Sequence, residues 1–107
     1  MVEIEEIAEQ SQFDEAIKGK VTLVDFFAEW HMQCLTQEPI IEEIFEKFKD
    51  KIKFCRVNVE DNYEVVSKFK VSNLPALVLF KEGIEVCRMC GCKHQFEIEK
   101  KIEEMLR

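Results

Sequence analysis

Cys34 follows His31 by three residues in the stretch FFAEWHMQCLTQEP (26–39), which leaves an apolar run, passes Trp30 and enters a helical pattern. Disulfide exchange needs one thiolate that attacks and a second thiol that releases the mixed disulfide. A helix N-terminus suits the attacker, because its dipole and free N–H groups favour the thiolate. Position 31 has that placing, yet it carries an imidazole, which forms no disulfide. A two-cysteine cycle therefore cannot run through residue 31, and Cys34 is the thiol left at this place.

Two further features bear on that chemistry. Asp25 sits inside the apolar run VTLVDFFA (21–28), where an ionised carboxylate is costly unless paired. Near the other end, CRMCGC places Cys87, Cys90 and Cys92 at spacings that suit metal or redox work. Strand alternation turns Cys87 to the face opposite Cys90. Cys87 and Cys55 read as small buried hydrophobes. For Cys90 and Cys92 a packing role and a functional role stand level. There is no phosphate-binding loop, His-Glu-x-x-His motif or dinucleotide fingerprint.

A chain of 107 residues, 47% of them hydrophobic, is expected to form one domain over 1–107 with a core that needs neither metal nor disulfides. The formal charge of −7 excludes a general affinity for nucleic acid or anionic membrane. The opening MVEIEEIAEQ lacks the basic and apolar regions of a signal peptide, and VTLVDFFA is too short to span a bilayer. A cytoplasmic protein is the expectation, and an odd count of five cysteines there points to free or catalytic thiols.

The elements that position these residues follow from periodicity. Residues 2–7 (Val2, Ile4, Ile7) predict a short strand, and Ser11 with Asp14 predicts the start of a helix that Gly19 ends. The run 21–28 predicts a strand buried on both faces. Leu35, Ile40, Ile41, Ile44, Phe45 and Phe48 recur at helical spacing over 32–49, with Pro39 inside. IKFCRVNV (52–59) alternates as a strand, and Asp61 or Asn62 is expected to cap a helix through Phe69, with Val65, Val66 and Phe69 inward. NLPALVLF (73–80) and EGIEVCRMC (82–90) predict a hairpin across Gly83. A last helix over 93–106 is expected to bury Phe96, Ile98, Ile102, Met105 and Leu106. The order β-α-β-α-β-α-β-β-α makes an α/β fold, a mixed sheet with helices on both faces.

With these pieces in order, the chain resembles thioredoxins over essentially its whole length. The matching segments are VDFFAEW, Cys34 on the first turn of the helix, Pro39, NLPALVLF with Pro75, FKEG, and Gly91. The resemblance implies a thioredoxin fold and thiol–disulfide redox homeostasis. It matches His31 to the attacking cysteine of Trp-Cys-Gly-Pro-Cys and Met32-Gln33 to the Gly-Pro pair. Cys34 matches the resolving cysteine, whose sulfur is more buried, Asp25 the carboxylate that moves its proton, and Arg56 the basic partner of that carboxylate. Pro75 matches the family's cis proline. Trp30, Met32, Pro75, Cys90, Gly91 and Cys92 match the surface that grips a substrate peptide, and His94 the cap of the last helix.

These matches lead to competing expectations. One is a redox protein with Cys34, His31 and Asp25 at its centre, no cofactor, and dithiol reductase activity absent or strongly reduced. Its clients are protein or peptide thiols and disulfides docking around Trp30 and Pro75, and it works as a monomer. The alternative is a protein-binding module that has dropped the chemistry. Last comes a Zn²⁺ or iron–sulfur site from His31, Cys34, Cys90 and Cys92, which burial of Cys34 disfavours; no metal is assigned.

Overall fold

A computed structural model describes residues 4–107 of the chain. The elements run β1 (Glu5–Glu6), α1 (Gln10–Ala16), β2 (Thr22–Phe27), α2 (Met32–Phe48), β3 (Lys53–Asn58), α3 (Tyr63–Phe69), β4 (Ala76–Lys81), β5 (Ile84–Cys90) and α4 (Gln95–Met105). They form one mixed sheet of order β1-β3-β2-β4-β5. β3 is parallel to both β1 and β2, while β4 is antiparallel to β2 and β5 to β4.

Alternation along the central strands sorts their side chains into two cores. Val24, Phe26, Cys55, Val57, Val78 and Phe80 face Phe13 of α1 and Val65 of α3. Leu23, Phe54, Leu77 and Leu79 face Ile41 and Ile44 of α2 and Ile98 and Ile102 of α4. With both faces covered, every residue of β2 is buried, as its continuous apolar run requires. Asp25 shares the parity of Leu23 and so points to the α2 side, where Arg56 pairs with it across β2 and β3.

β4 and β5 are joined through Glu82-Gly83, both at positive φ (51° and 87°). Such a two-residue turn matches the twist of the strands it joins, and glycine adopts its second position without strain. The register slips between Leu79 and Phe80, an irregularity that falls on the exposed edge strand.

Several details depart from the sequence expectations. β1 is only Glu5–Glu6, and Val2 lies outside the described residues. α1 begins at Gln10 with Glu9 at the cap position. Ser11 Oγ donates to Glu9 and Asp14 accepts from the Gln10 amide, so no capping box forms. That helix also ends before Gly19, at Ile17. β3 does not alternate in and out, because neighbours and helices cover both its faces. Asn62 occupies the cap position of α3, but its amide donates to the Ile7 and Asn58 carbonyls instead of capping. Val66 and Phe69 are only half-buried. Leu35, Phe96 and Leu106 are exposed. Leu35 and Phe96 lie in the first turns of α2 and α4 and Leu106 at the end of α4, so helical spacing continues there without burial.

Candidate functional site

β2 ends at Phe27, and the chain turns through Ala28–Trp30 into α2. His31 closes that turn: its N–H donates to the Ala28 carbonyl at 3.2 Å, and its own carbonyl accepts from Cys34 N at 3.0 Å and Leu35 N at 3.2 Å. His31 thus occupies the N-cap position of α2, without a capping side-chain bond. Its ring lies 5.4 Å from that of Trp30, and its Nδ1 is buried with no hydrogen-bond partner among the described residues. Cys34, on the first turn, is buried.

Behind Cys34 lies a charged cluster. Arg56 Nε is 3.5 Å from Asp25 Oδ2, its Nη2 is 3.3 Å from Glu38 Oε1, and its guanidinium stacks 3.9 Å over the Phe27 ring. Burial drives the Asp25 carboxyl up to about 6, against the lowering pull of Arg56 and with a further push from Glu38. Burial also raises the Cys34 thiol, opposed by a backbone hydrogen bond with Ala28 and reinforced by the charges of Asp25 and Cys92. An open cavity of about 400 Å³, lined by Phe27, Ala28, Cys34, Leu35, Glu38 and Arg56 among others, joins this cluster to Cys34.

A second groove of about 400 Å³ is lined by His31, Gln33, Ser72, Asn73, Leu74, Cys90 and Gly91. The Leu74–Pro75 bond is cis, and Pro75 is buried. Its carbonyl accepts the Gly91 N–H at 2.8 Å. Gly91 needs its positive φ of 81° to make this turn. The next two residues are fastened to α2: Cys92 Sγ donates to the Gln33 carbonyl at 3.3 Å, and Lys93 N donates to Gln37 Oε1 at 2.9 Å. Trp30 and Met32 stand exposed beside the groove, at 67% and 73%.

The structure therefore brings together Asp25, Trp30, His31, Met32, Cys34, Arg56, Pro75 and residues 90–92. Pro75 is buried, deeper than the near-surface place expected of it, while the preceding Leu74 lines the groove. Cys92 is bonded to the carbonyl of the peptide that leads into Cys34, whereas Cys90 lines the groove beside His31. Cys55 is buried in the opposite core, and Cys87 packs half-buried toward α4. Among the described residues, no three His, Cys, Asp or Glu side chains are gathered to hold a metal ion, so His31, Cys34, Cys90 and Cys92 do not form such a cluster. His94 takes the cap position of α4 but makes no capping bond with its side chain.

Sequence reasoning missed Glu38, Gln33 and Gln37. Glu38 lies four residues after Cys34, which on a helix places it on the same face, so a search at that spacing would have found it.

A family model for thioredoxin matches residues 4–104. The chain belongs to the thioredoxin family. It is 35% identical over 98 residues to the thioredoxin of Alicyclobacillus acidocaldarius, covering 91% of this chain and 93% of that protein. To Chlamydia pneumoniae thioredoxin it is 36% identical over 87 residues, covering 81% and 84% of the two chains. The solved structure of Plasmodium falciparum thioredoxin superposes with a TM-score of 0.87 at 28% identity, over 94% of this chain and 98% of that one. Membership of the thioredoxin family brings a role in thiol–disulfide redox chemistry on protein clients. No helix among the described residues is long and apolar enough to cross a membrane.

Proposed function

We propose that this thioredoxin-family protein, one domain over residues 1–107, serves thiol–disulfide redox control in the cytoplasm as a monomer, with Cys34 as its active-site thiol. In this reading His31 stands where the family's attacking cysteine would be, and Met32-Gln33 replace the Gly-Pro pair. Ordinary dithiol disulfide reductase activity is then absent or strongly reduced.

The observation that carries the reading is the setting of Cys34, which shares a cavity with Arg56, the partner of the buried Asp25, while its neighbour Gln33 lines the His31 groove. A carboxyl that titrates at about 6 is largely ionised at pH 7. It is therefore ready to take the Cys34 proton when the sulfur attacks. His31 fills the position that a second thiol would need. Trp30 and Met32 offer apolar surface to a protein or peptide client. Pro75 and the Cys90–Gly91–Cys92 segment border the cleft that receives it. No cofactor enters this chemistry.

One observation favours the alternative, a binding module without catalysis: Cys34 is buried and its thiol is held above the ordinary range. Two measurements separate the readings. Insulin reduction driven by dithiothreitol is expected near the uncatalysed background, and a rate typical of dithiol thioredoxins would refute the loss of activity. Mass mapping after exposure to a peptide disulfide is expected to find Cys34 in a disulfide. Cys34 remaining a thiol while the peptide is bound would favour the binding module.

A further inference from the structure

We infer that Cys92 supplies the attacking thiol that position 31 lacks, so that Cys92 and Cys34 form the working dithiol of this site. The inference rests on the redox reading above and adds to it a second reacting residue.

Three consecutive residues fix the place of Cys92. Gly91 N–H is bonded to the Pro75 carbonyl, Cys92 Sγ to the Gln33 carbonyl and Lys93 N–H to the Gln37 side chain. Gln33 and Gln37 are one helical turn apart on α2, and Cys34 lies between them. The Gln33 carbonyl belongs to the peptide that leads into Cys34. Standard peptide dimensions then put Cys92 Sγ, at 3.3 Å from that oxygen, within about 6 Å of the Cys34 Cα. Cysteines joined by a disulfide keep their Cα atoms within about 7 Å of each other, so joining the two sulfurs requires the 91–93 turn to shift toward Cys34.

The two sulfurs differ in access. Cys92 is exposed and Cys34 is buried, which assigns the first attack to Cys92. Its thiolate displaces one sulfur of a client disulfide, forming a Cys92–client mixed disulfide while the departing client thiolate takes up a proton. Cys34, giving its proton to Asp25, then attacks the Cys92 sulfur and releases the second client thiol. The client gains two electrons and two protons, and the chain is left with a Cys34–Cys92 disulfide that an external dithiol reduces. Cys92 does not occupy the N-terminal position of α2 that residue 31 holds, so the cycle runs slowly, in keeping with low insulin turnover.

The test exposes the reduced full-length chain, Cys34→Ser and Cys92→Ser to an oxidised model peptide at pH 7, with acid quenching and peptide mapping. Far-UV circular dichroism checks that each variant is folded. The expected results are a Cys34–Cys92 disulfide in the unmodified chain and a mixed disulfide accumulating on Cys92 in Cys34→Ser. Cys92→Ser is expected to consume the peptide disulfide at least tenfold more slowly. Unchanged consumption by Cys92→Ser, with the peptide on Cys34, would overturn the inference and leave the single-thiol reading standing. A Cys34–Cys90 disulfide in the unmodified chain would also overturn it. No disulfide of any kind in the unmodified chain would overturn both this inference and the redox reading. The mapping of the unmodified chain decides the matter even if Cys34→Ser does not fold.

Discussion

Asp25 Oδ2 lies 3.5 Å from Arg56 Nε, with the two residues paired directly across β2 and β3. The pairing is incomplete compensation. Arg56 is shared with Glu38, and the net effect on Asp25 is a carboxyl raised from 3.8 to about 6. A buried group held this way costs stability and gives chemistry in return.

The first prediction follows from the sign of that shift. The folded chain binds the Asp25 proton more tightly than the unfolded chain, so ionising Asp25 destabilises the fold as pH rises from about 4 to about 6. At pH 7 the cost is on the order of 3 kcal/mol. Asp25→Asn should therefore raise the unfolding free energy at pH 7 by up to that amount, with the gain fading near pH 4. Urea unfolding at the two pH values measures it, and an equal gain at both would show that titration is not the cause.

The second prediction concerns thiol reactivity. Burial pushes the Cys55 thiol up to about 12, which leaves about a thousandfold less thiolate at pH 7 than an ordinary cysteine has. Cys34 and Cys87 are raised by burial as well, whereas Cys90 and Cys92 are exposed. Brief alkylation at neutral pH should label Cys92 first and Cys90 next. Cys34 should lag, and Cys55 and Cys87 should stay unmodified in the folded chain. Peptide mapping reads the order, and fast labelling of Cys34 would mean that the site is more open than its burial indicates.

Gln37 gives a third. Its Oε1 accepts the Lys93 N–H, while its Nε2 is buried without a partner among the described residues. Gln37→Met removes the tether and the orphaned donor together, so global stability should change by less than about 1 kcal/mol. The Lys93 amide should nevertheless exchange roughly tenfold faster with solvent. Hydrogen exchange that is unchanged at Lys93 would show that the segment is held by other contacts.

Much of this was legible in the chain itself. Period-two and period-three-to-four patterns place each strand and helix, since the sheet is covered on both faces and its central strands carry long apolar runs. Patterns fail near helix ends: Leu35, Phe96 and Leu106 keep helical spacing in terminal turns yet stay exposed. Local cap chemistry also misleads, because Ser11 and Asn62 spend their side chains on neighbours other than the helix N–H groups. Within the site, residues 25–34 are read from two adjoining elements. That Cys92, not Cys90, lies beside Cys34 depends on how a turn some sixty residues away is fastened to α2, which no local spacing encodes.

The most direct test of the account is the insulin reductase activity of His31→Cys. Cys34, Asp25, the cis Leu74–Pro75 turn and the α2 N-terminus already stand in place for a thiol at residue 31, so little reorganisation is needed. The variant is predicted to reduce insulin faster than the unaltered chain by two or more orders of magnitude. A folded His31→Cys protein that stays at background would contradict the claim that the missing thiol is what silences this site.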